Sequence, residues 1–247
     1  VRIDVLLGEA LVAPVDVAER VVVVIDVLRA ATTAAIALAN GARALMPVES
    51  VESAAQHAKS MDPSAVRLGG ERHMVRIPGF DLGNSPLEYT SAIVEGRTIV
   101  FTTTNGTLAL TAMQRARECF FSGFVNAQAT VDAVRDASKG VTSVTIVCAG
   151  TDRQLALEDL VCAGRLVRGL LAAFPEVTRG DGARVAGMIE RPYQEHLSAL
   201  LDDATHARAL ADAGFGDDVR CCLAIDTVPI AVVYRERQLR VADARTS

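Results

Sequence analysis

The sequence predicts an α/β domain of three layers, with helices on both faces of a mainly parallel sheet that leaves room for some mixed pairing. Three observations predict it. Short apolar runs rich in β-branched residues alternate with Ala- and Leu-rich stretches of helical spacing, the pattern of βαβ units. The chain has 247 residues, half of them hydrophobic, enough for a large core without disulfide or metal staples. No Pro/Ser-rich or charge-rich linker divides it, so residues 1–247 read as one domain.

Taken in order, strands are expected at about 3–7, 21–25, 44–48, 99–102, 119–122 and 144–148. Helices are expected between them at about 33–40, 51–60, 107–116 and 127–138. Parallel strands joined by helices need helices over their faces, which gives the α/β/α layering. From about 157 to 214 the pattern is mostly helical, with a break near Pro175–Gly182 and a restart near Pro192. Runs at 221–225 and 230–234 then read as two further strands, either added to the sheet or forming a small C-terminal excursion.

Several function classes are disfavoured. The net charge is -5 and no Lys/Arg run offers a footprint for nucleic acid. The apolar run 21–25 is far shorter than a membrane span and is closed by Asp26. Residues 1–20 place acids where a signal peptide needs an apolar stretch, so a cytoplasmic protein is expected. Cysteines 119, 148, 162, 221 and 222 form no repeated C-x-x-C pattern and read as small core residues. Cys148 and Arg153 are separated by four residues, one short of a cysteine-phosphatase loop. Asp26-Val27-Leu28 lacks the second acid of a D-x-D aspartyl-phosphatase motif, and there is no G-x-x-x-x-G-K-[ST] loop. His57, His73, His196 and His206 have no metal-ligand spacing and read as surface or capping residues, with His73 alone inside a suspicious loop.

Four segments are candidates for chemistry. In VVVVIDVLRAATTAA, Asp26 ends a buried strand, where ligands of open α/β sheets bind; it could take a cation and Arg29 an anion. A turn cap and a surface arginine would explain the same two residues. GGERHMVRIPGFDLGNSPLEY, residues 69–89, reads as a long polar loop whose glycines permit close approach and whose Glu71, Arg72, Asp81, Asn84 and Ser85 offer contacts. In VFTTTNGTLAL a strand runs into Thr103, Thr104, Asn105 and Gly106 before a helix, which suits either helix capping or an anion at the helix start. In VTIVCAGTDRQLALEDLVCAG, Glu158 and Asp159 fall in the first turn of a helix, where they favour the dipole or reach a metal together with Asp26 and Glu71.

VVIDVLRA, GER, GFDLGNSP, TTTNGT and AG…LEDLVCAG, in that order, resemble the 2-phosphosulfolactate phosphatase family, over well more than half of the chain. The resemblance implies a Mg²⁺-dependent hydrolase that converts 2-phosphosulfolactate, or a related phosphorylated hydroxy acid, to the hydroxy acid and phosphate. That reaction is a step of coenzyme M biosynthesis in organisms that make it. It implies Asp26, Glu71 and Asp159 as catalytic metal-binding acids, with Asp81 and Glu158 as further metal candidates. Arg29, Arg72, Asn84, Ser85, Thr104, Asn105 and Gly106 would then bind the substrate's anions. Ala31 departs from a run in which the family often has Ser or Thr, while Thr32 and Thr33 keep it. The expected partner is a small anionic phosphate ester, with a homo-oligomer compatible; no nucleic acid or membrane is expected. A competing class is a non-enzymatic module that senses a phosphorylated metabolite through the same loops.

Overall fold

The computed structural model describes residues 1–8, 12–174 and 176–242. Its strands are β1 (Arg2–Leu6), β2 (Val21–Ile25), β3 (Ala44–Pro47), β4 (Val66–Arg72), β5 (Val75–Arg76), β6 (Thr98–Thr102), β7 (Glu118–Ser122), β8 (Ser143–Cys148), β9 (Thr178–Arg179), β10 (Val232–Arg235) and β11 (Gln238–Val241). The helices are α1 (Pro14–Val17), α2 (Ala30–Ala39), α3 (Val51–Lys59), α4 (Ser91–Val94), α5 (Gly106–Thr111), α6 (Ala127–Ala137), α7 (Leu157–Ala173), α8 (Asp181–Glu190), α9 (Leu200–Asp203), α10 (Thr205–Leu210) and α11 (Gly216–Cys222). Among the described residues no helix is long and apolar enough to cross a membrane.

The strands form one mixed sheet in the order β5-β4-β6-β3-β11-β10-β7-β2-β8-β1-β9. β4, β6 and β3 are parallel to one another, as are β7, β2, β8, β1 and β9. The hairpin β10–β11 joins these blocks through three successive antiparallel pairings, so the two blocks run in opposite senses. The C-terminal pair is thus the seam of the sheet, where an excursion was the alternative expectation.

Every residue of β2 is buried, because its two faces feed two cores. Val21, Val23 and Ile25 pack with α6 and α7 on one face, through Val131, Val134, Leu166 and Val167. Val22 and Val24 pack on the other with Ala34, Leu38 and Leu110 of α2 and α5. Side chains alternate across a strand, so an unbroken Val/Ile run is what a doubly covered strand requires. A third core, with Ala54 of α3 and Val100 of β6, covers the outer block.

Two expectations are corrected. Cys221 and Cys222 end α11 and are not in a strand; Asp217 and Asp218 in its first turn and Arg220 in its last complement the helix dipole, while Val219 and Cys222 face inward three residues apart. The stretch expected as a loop from residue 69 begins inside β4. Gly69 and Gly70 are strand residues chosen for close packing: an added Cβ would lie 2.4 Å from the Tyr89 hydroxyl and 2.1 Å from the Thr102 carbonyl, respectively. Of the expected break near Pro175–Gly182, Pro175 lies outside the described residues, as do 9–11 of the N-terminal stretch and 243–247. The five cysteines are free thiols, and all but Cys221 are buried.

α7 and α8 meet backbone to backbone at Gly164, where an added Cβ would lie 2.3 Å from the Ala186 carbonyl oxygen. Gly164→Ala is expected to force these helices apart and to lower stability by about 1–3 kcal/mol, as overpacking does. Urea unfolding checks this; a midpoint equal to the native one would show that the helices separate without cost.

Candidate active site

β2 carries Asp26 into the interior, where it is only 5% exposed. Its Oδ1 accepts the N–H of Ala30 at 3.0 Å, tying the carboxylate to the start of α2. Its Oδ2 rests against Gly106, where a Cβ would lie 2.4 Å away, so only glycine allows the α5 start to approach this acid. Glu71, near the end of β4, is held from both sides: Oε1 accepts the Thr104 N–H at 2.8 Å and hydroxyl at 2.9 Å, and Oε2 accepts the Met74 N–H at 2.9 Å. Strands from opposite blocks therefore deliver two carboxylates to one place.

A cavity of about 180 Å³ opens there. Of the residues expected from the sequence, it is lined by Asp26, Arg29, Glu71, Asn84, Thr104 and Asn105. Thr103, Asp152, His73 and His206 also line it. Two residues of its wall, Asn84 and Thr103, each bury a polar atom, Oδ1 and Oγ1, that has no hydrogen-bond partner among the described residues. Such orphans are costly in a folded protein and mark where a ligand or water completes the structure.

The remaining expected residues stand behind or away from the cavity. Gly106 backs Asp26. Asp159 is buried, and both its oxygens are held by backbone, accepting the N–H groups of Val27 at 2.9 Å and Gly150 at 3.0 Å. Glu158, also buried, lines an adjoining hollow of about 610 Å³ that shares Met74, Thr151, Asp152 and His206 with the first. Ser85 donates its hydroxyl to Asp218 Oδ1 at 2.7 Å. Two residues do not join the site. Asp81 is exposed and accepts the Leu68 N–H at 2.8 Å, so it pins its own loop to β4. Arg72 turns to Thr102 Oγ1 at 2.9 Å and to the Glu71 carbonyl at 2.7 Å, lying outside the cavity lining.

Sequence reasoning missed His206, set aside as a surface residue, and Asp218. His206 is half-buried on α10, and burial, the main cause, lowers its pKa. Its four-residue spacing from Leu210, which also lines the cavity, was an available helical signal. Asp218 bonds Arg29 across 189 residues, a partnership with no trace in local spacing.

Electrostatically, the site is a cluster of acids out of water. Asp26 is pushed up to about 8 by burial and then by repulsion from Asp159. Asp159 is pushed up to about 8 by burial and by Glu158, and Glu158 to about 7, chiefly by burial. Among the described residues, no three His, Cys, Asp or Glu side chains converge closely enough to hold a metal ion by themselves. The acids that line the cavity are Asp26, Glu71 and the exposed Asp152; Asp26 and Glu71 are the buried pair that could hold a cation, and one or two carboxylates completed by water and substrate oxygens are the usual donor set for Mg²⁺.

The family model described as 2-phosphosulpholactate phosphatase matches residues 9–237. A probable 2-phosphosulfolactate phosphatase of Symbiobacterium thermophilum is 42% identical over 224 residues, covering 91% of this chain and 95% of the relative. Proteins with the same name from Caldanaerobacter subterraneus and Caldicellulosiruptor saccharolyticus are 37% and 38% identical over 215 residues, covering 87% and 86% of this chain and 88% of each relative.

The raised acids fix a pH dependence for the metal-free protein. Asp26 has an ordinary value of 3.8 and a native value of about 8, so between these the native state binds more protons than the unfolded chain. Its contribution to stability is complete below the ordinary value and lost as pH rises through the native one. With Asp159 and Glu158 acting in the same direction, the thermal midpoint in chelator should fall from about pH 5 to about pH 8. A midpoint that is flat or rises across this range would show that the acids are not held in this environment.

Proposed function

The chain belongs to the 2-phosphosulfolactate phosphatase family, and from that membership we propose that it is a phosphoric monoester hydrolase acting on 2-phosphosulfolactate or a closely related phosphorylated hydroxy acid, with Mg²⁺ held by Asp26 and Glu71. The observation that carries this reading is the pairing of two buried carboxylates with two orphaned polar groups on the wall of one small cavity. A cavity of about 180 Å³ suits a compact ester, with the Thr103 hydroxyl able to donate to a phosphoryl oxygen and Asn84 Oδ1 able to accept from a protonated oxygen or a water. Because the Asn84 backbone carbonyl accepts the Thr33 hydroxyl at 2.9 Å, the amide side chain is presented from a fixed point on α2.

The fit of a cation follows from charge. An anionic ester would meet Asp26, Glu71 and Asp152, while Arg29, the one arginine lining the cavity among the described residues, is already matched by Asp218. With its pKa pushed up to about 8, Asp26 holds a proton at neutral pH; a cation between it and Glu71 would replace that proton and offset the repulsion of an anion by the ionised pair. When bound, Mg²⁺ supplies that neutralisation and polarises a phosphoryl oxygen. Asp159 takes no ligand role in this reading; it fixes the turn after β2 and the turn after β8 through its two backbone bonds, and so fixes Asp26. His206, kept below its ordinary pKa by burial, is the neutral group on the wall able to take a proton from an attacking water or return one to the departing alcohol. The setting we propose is cytoplasmic, where the free cysteines stay reduced.

The test is phosphate release from 2-phosphosulfolactate and 2-phospholactate with and without Mg²⁺. The native protein should turn over only with the metal, and Asp26→Asn, which keeps size and removes charge, should lose about 10²-fold or more in kcat. Arg72→Ala should lose far less, since that side chain is spent on Thr102 and on backbone carbonyls. Equal turnover in chelator would remove the metal from the reading, and ligand binding without release, untouched by Asp26→Asn, would favour a sensor.

A further inference from the structure

Arg29 sits at the cavity wall, only 3% exposed, and is gripped from several directions. Its NH1 donates to Asp218 Oδ2 at 2.6 Å and its NH2 to the Met74 carbonyl at 2.8 Å. The guanidinium carbon lies 4.3 Å from the centre of the Phe215 ring, which covers one face. Asp218 is itself buried, and its other oxygen accepts the Ser85 hydroxyl at 2.7 Å. Segments far apart in the chain therefore fix one planar cation: the turn after β2, the β4–β5 hairpin and α11 with the residue preceding it.

A buried ion pair adds little to folding, because desolvation offsets its attraction. What this arrangement does accomplish is orientation. A guanidinium has five N–H donors in a fixed plane, and Asp218 and Met74 accept from two of them, which leaves three without a partner among the described residues on a side chain that lines the cavity. We propose that Asp218 is a positioning residue for the substrate phosphate, setting the plane of Arg29 so that its remaining N–H groups meet the anion, with Ser85 holding Asp218 in turn. The kinetic part rests on the phosphatase reading, whereas the binding part does not.

The experiment uses the full chain as native protein, Asp218→Asn, Asp218→Glu, Ser85→Ala and, as a control on the exposed side of the same helix, Asp217→Asn. Two readouts are taken well below the lowest thermal midpoint: kcat and KM on the phosphate ester, and the Kd of inorganic phosphate in magnesium chloride. Asp218→Asn should lower kcat/KM by about 10²-fold, mainly through KM, and weaken phosphate by at least about tenfold, because misplacing a positioning group by about 1 Å costs that much. Asp218→Glu should recover part of both, and Asp217→Asn should match the native protein. A folded Asp218→Asn with native KM and native phosphate affinity would reduce the pair to a structural tie and overturn the proposal. Should Asp218→Asn fail to fold, Ser85→Ala decides: a severalfold loss of phosphate affinity supports the proposal and native affinity overturns it. A native protein that releases phosphate from no ester, yet binds phosphate in an Asp218-dependent way, would sink the enzyme reading and leave this one standing. No phosphate binding by the native protein at all would sink this one.

Discussion

The site depends on one constraint, a carboxylate carried into the interior on a strand that has no exposed side chain. β2 is covered on both faces and paired along both edges, by β7 and β8, so Asp26 cannot withdraw towards water without unravelling the centre of the sheet. The cost appears as a pKa pushed up to about 8. Around this fixed point the other elements divide their tasks. Asp159 and Glu71 are each hydrogen-bonded at both oxygens, but Asp159 stands behind the cavity and acts as a clamp on two turns, whereas Glu71, like Asp26, lines the cavity. Gly106 follows from the same constraint, since any side chain there would collide with the carboxylate.

The C-terminal third completes both the sheet and the site. The β10–β11 hairpin fills the seam between the two parallel blocks, and the three reversals across it let strands of opposite sense be neighbours. Just before it, α10 contributes His206 and α11 contributes Asp218. A chain lacking this region would have two unsealed sheet edges and a bare buried guanidinium. Folding of the tail and assembly of the cavity are therefore coupled, with Arg29 as the link between them.

How much of this was legible in the sequence varies with the range of the interaction. The run 21–25 announced a doubly covered strand because side-chain period is a local property, and Asp26 after it announced a strand end. GFDLGNSP and TTTNGT pointed to Asn84, Thr104 and Asn105, all of which line the cavity. The glycines of 69–70 were misleading, since they suggested a loop where the backbone of β4 needs to lie close to Tyr89 and Thr102. Asp81 and Arg72 were plausible by neighbourhood alone, yet Asp81 turns back from its loop to the Leu68 N–H and Arg72 crosses to Thr102 on the next strand, pairings that spacing does not reveal. Asp218 lay beyond any local signal because its partner is 189 residues away. The strand expected at 221–225 also hid the helix that carries it.

The arrangement further constrains how an anion is recognised. Recognition of a second anionic group would ordinarily call for a second arginine, but Arg72 faces elsewhere and Arg29 is already paired. Selectivity within the cavity then falls to its neutral polar groups and to the geometry of a single guanidinium. Neutral polar groups discriminate by position more sharply than by charge, because a buried hydroxyl or amide oxygen left without a partner remains an orphan. Asn84 Oδ1, an acceptor, and Thr103 Oγ1, which can donate or accept, have no partner among the described residues, so a ligand that satisfies both gains what one reaching only the carboxylates forgoes. The cavity of about 180 Å³ gives these groups only a few ligand atoms to read, and any more distant part of a ligand would extend into the adjoining hollow of about 610 Å³ past Met74, Thr151, Asp152 and His206.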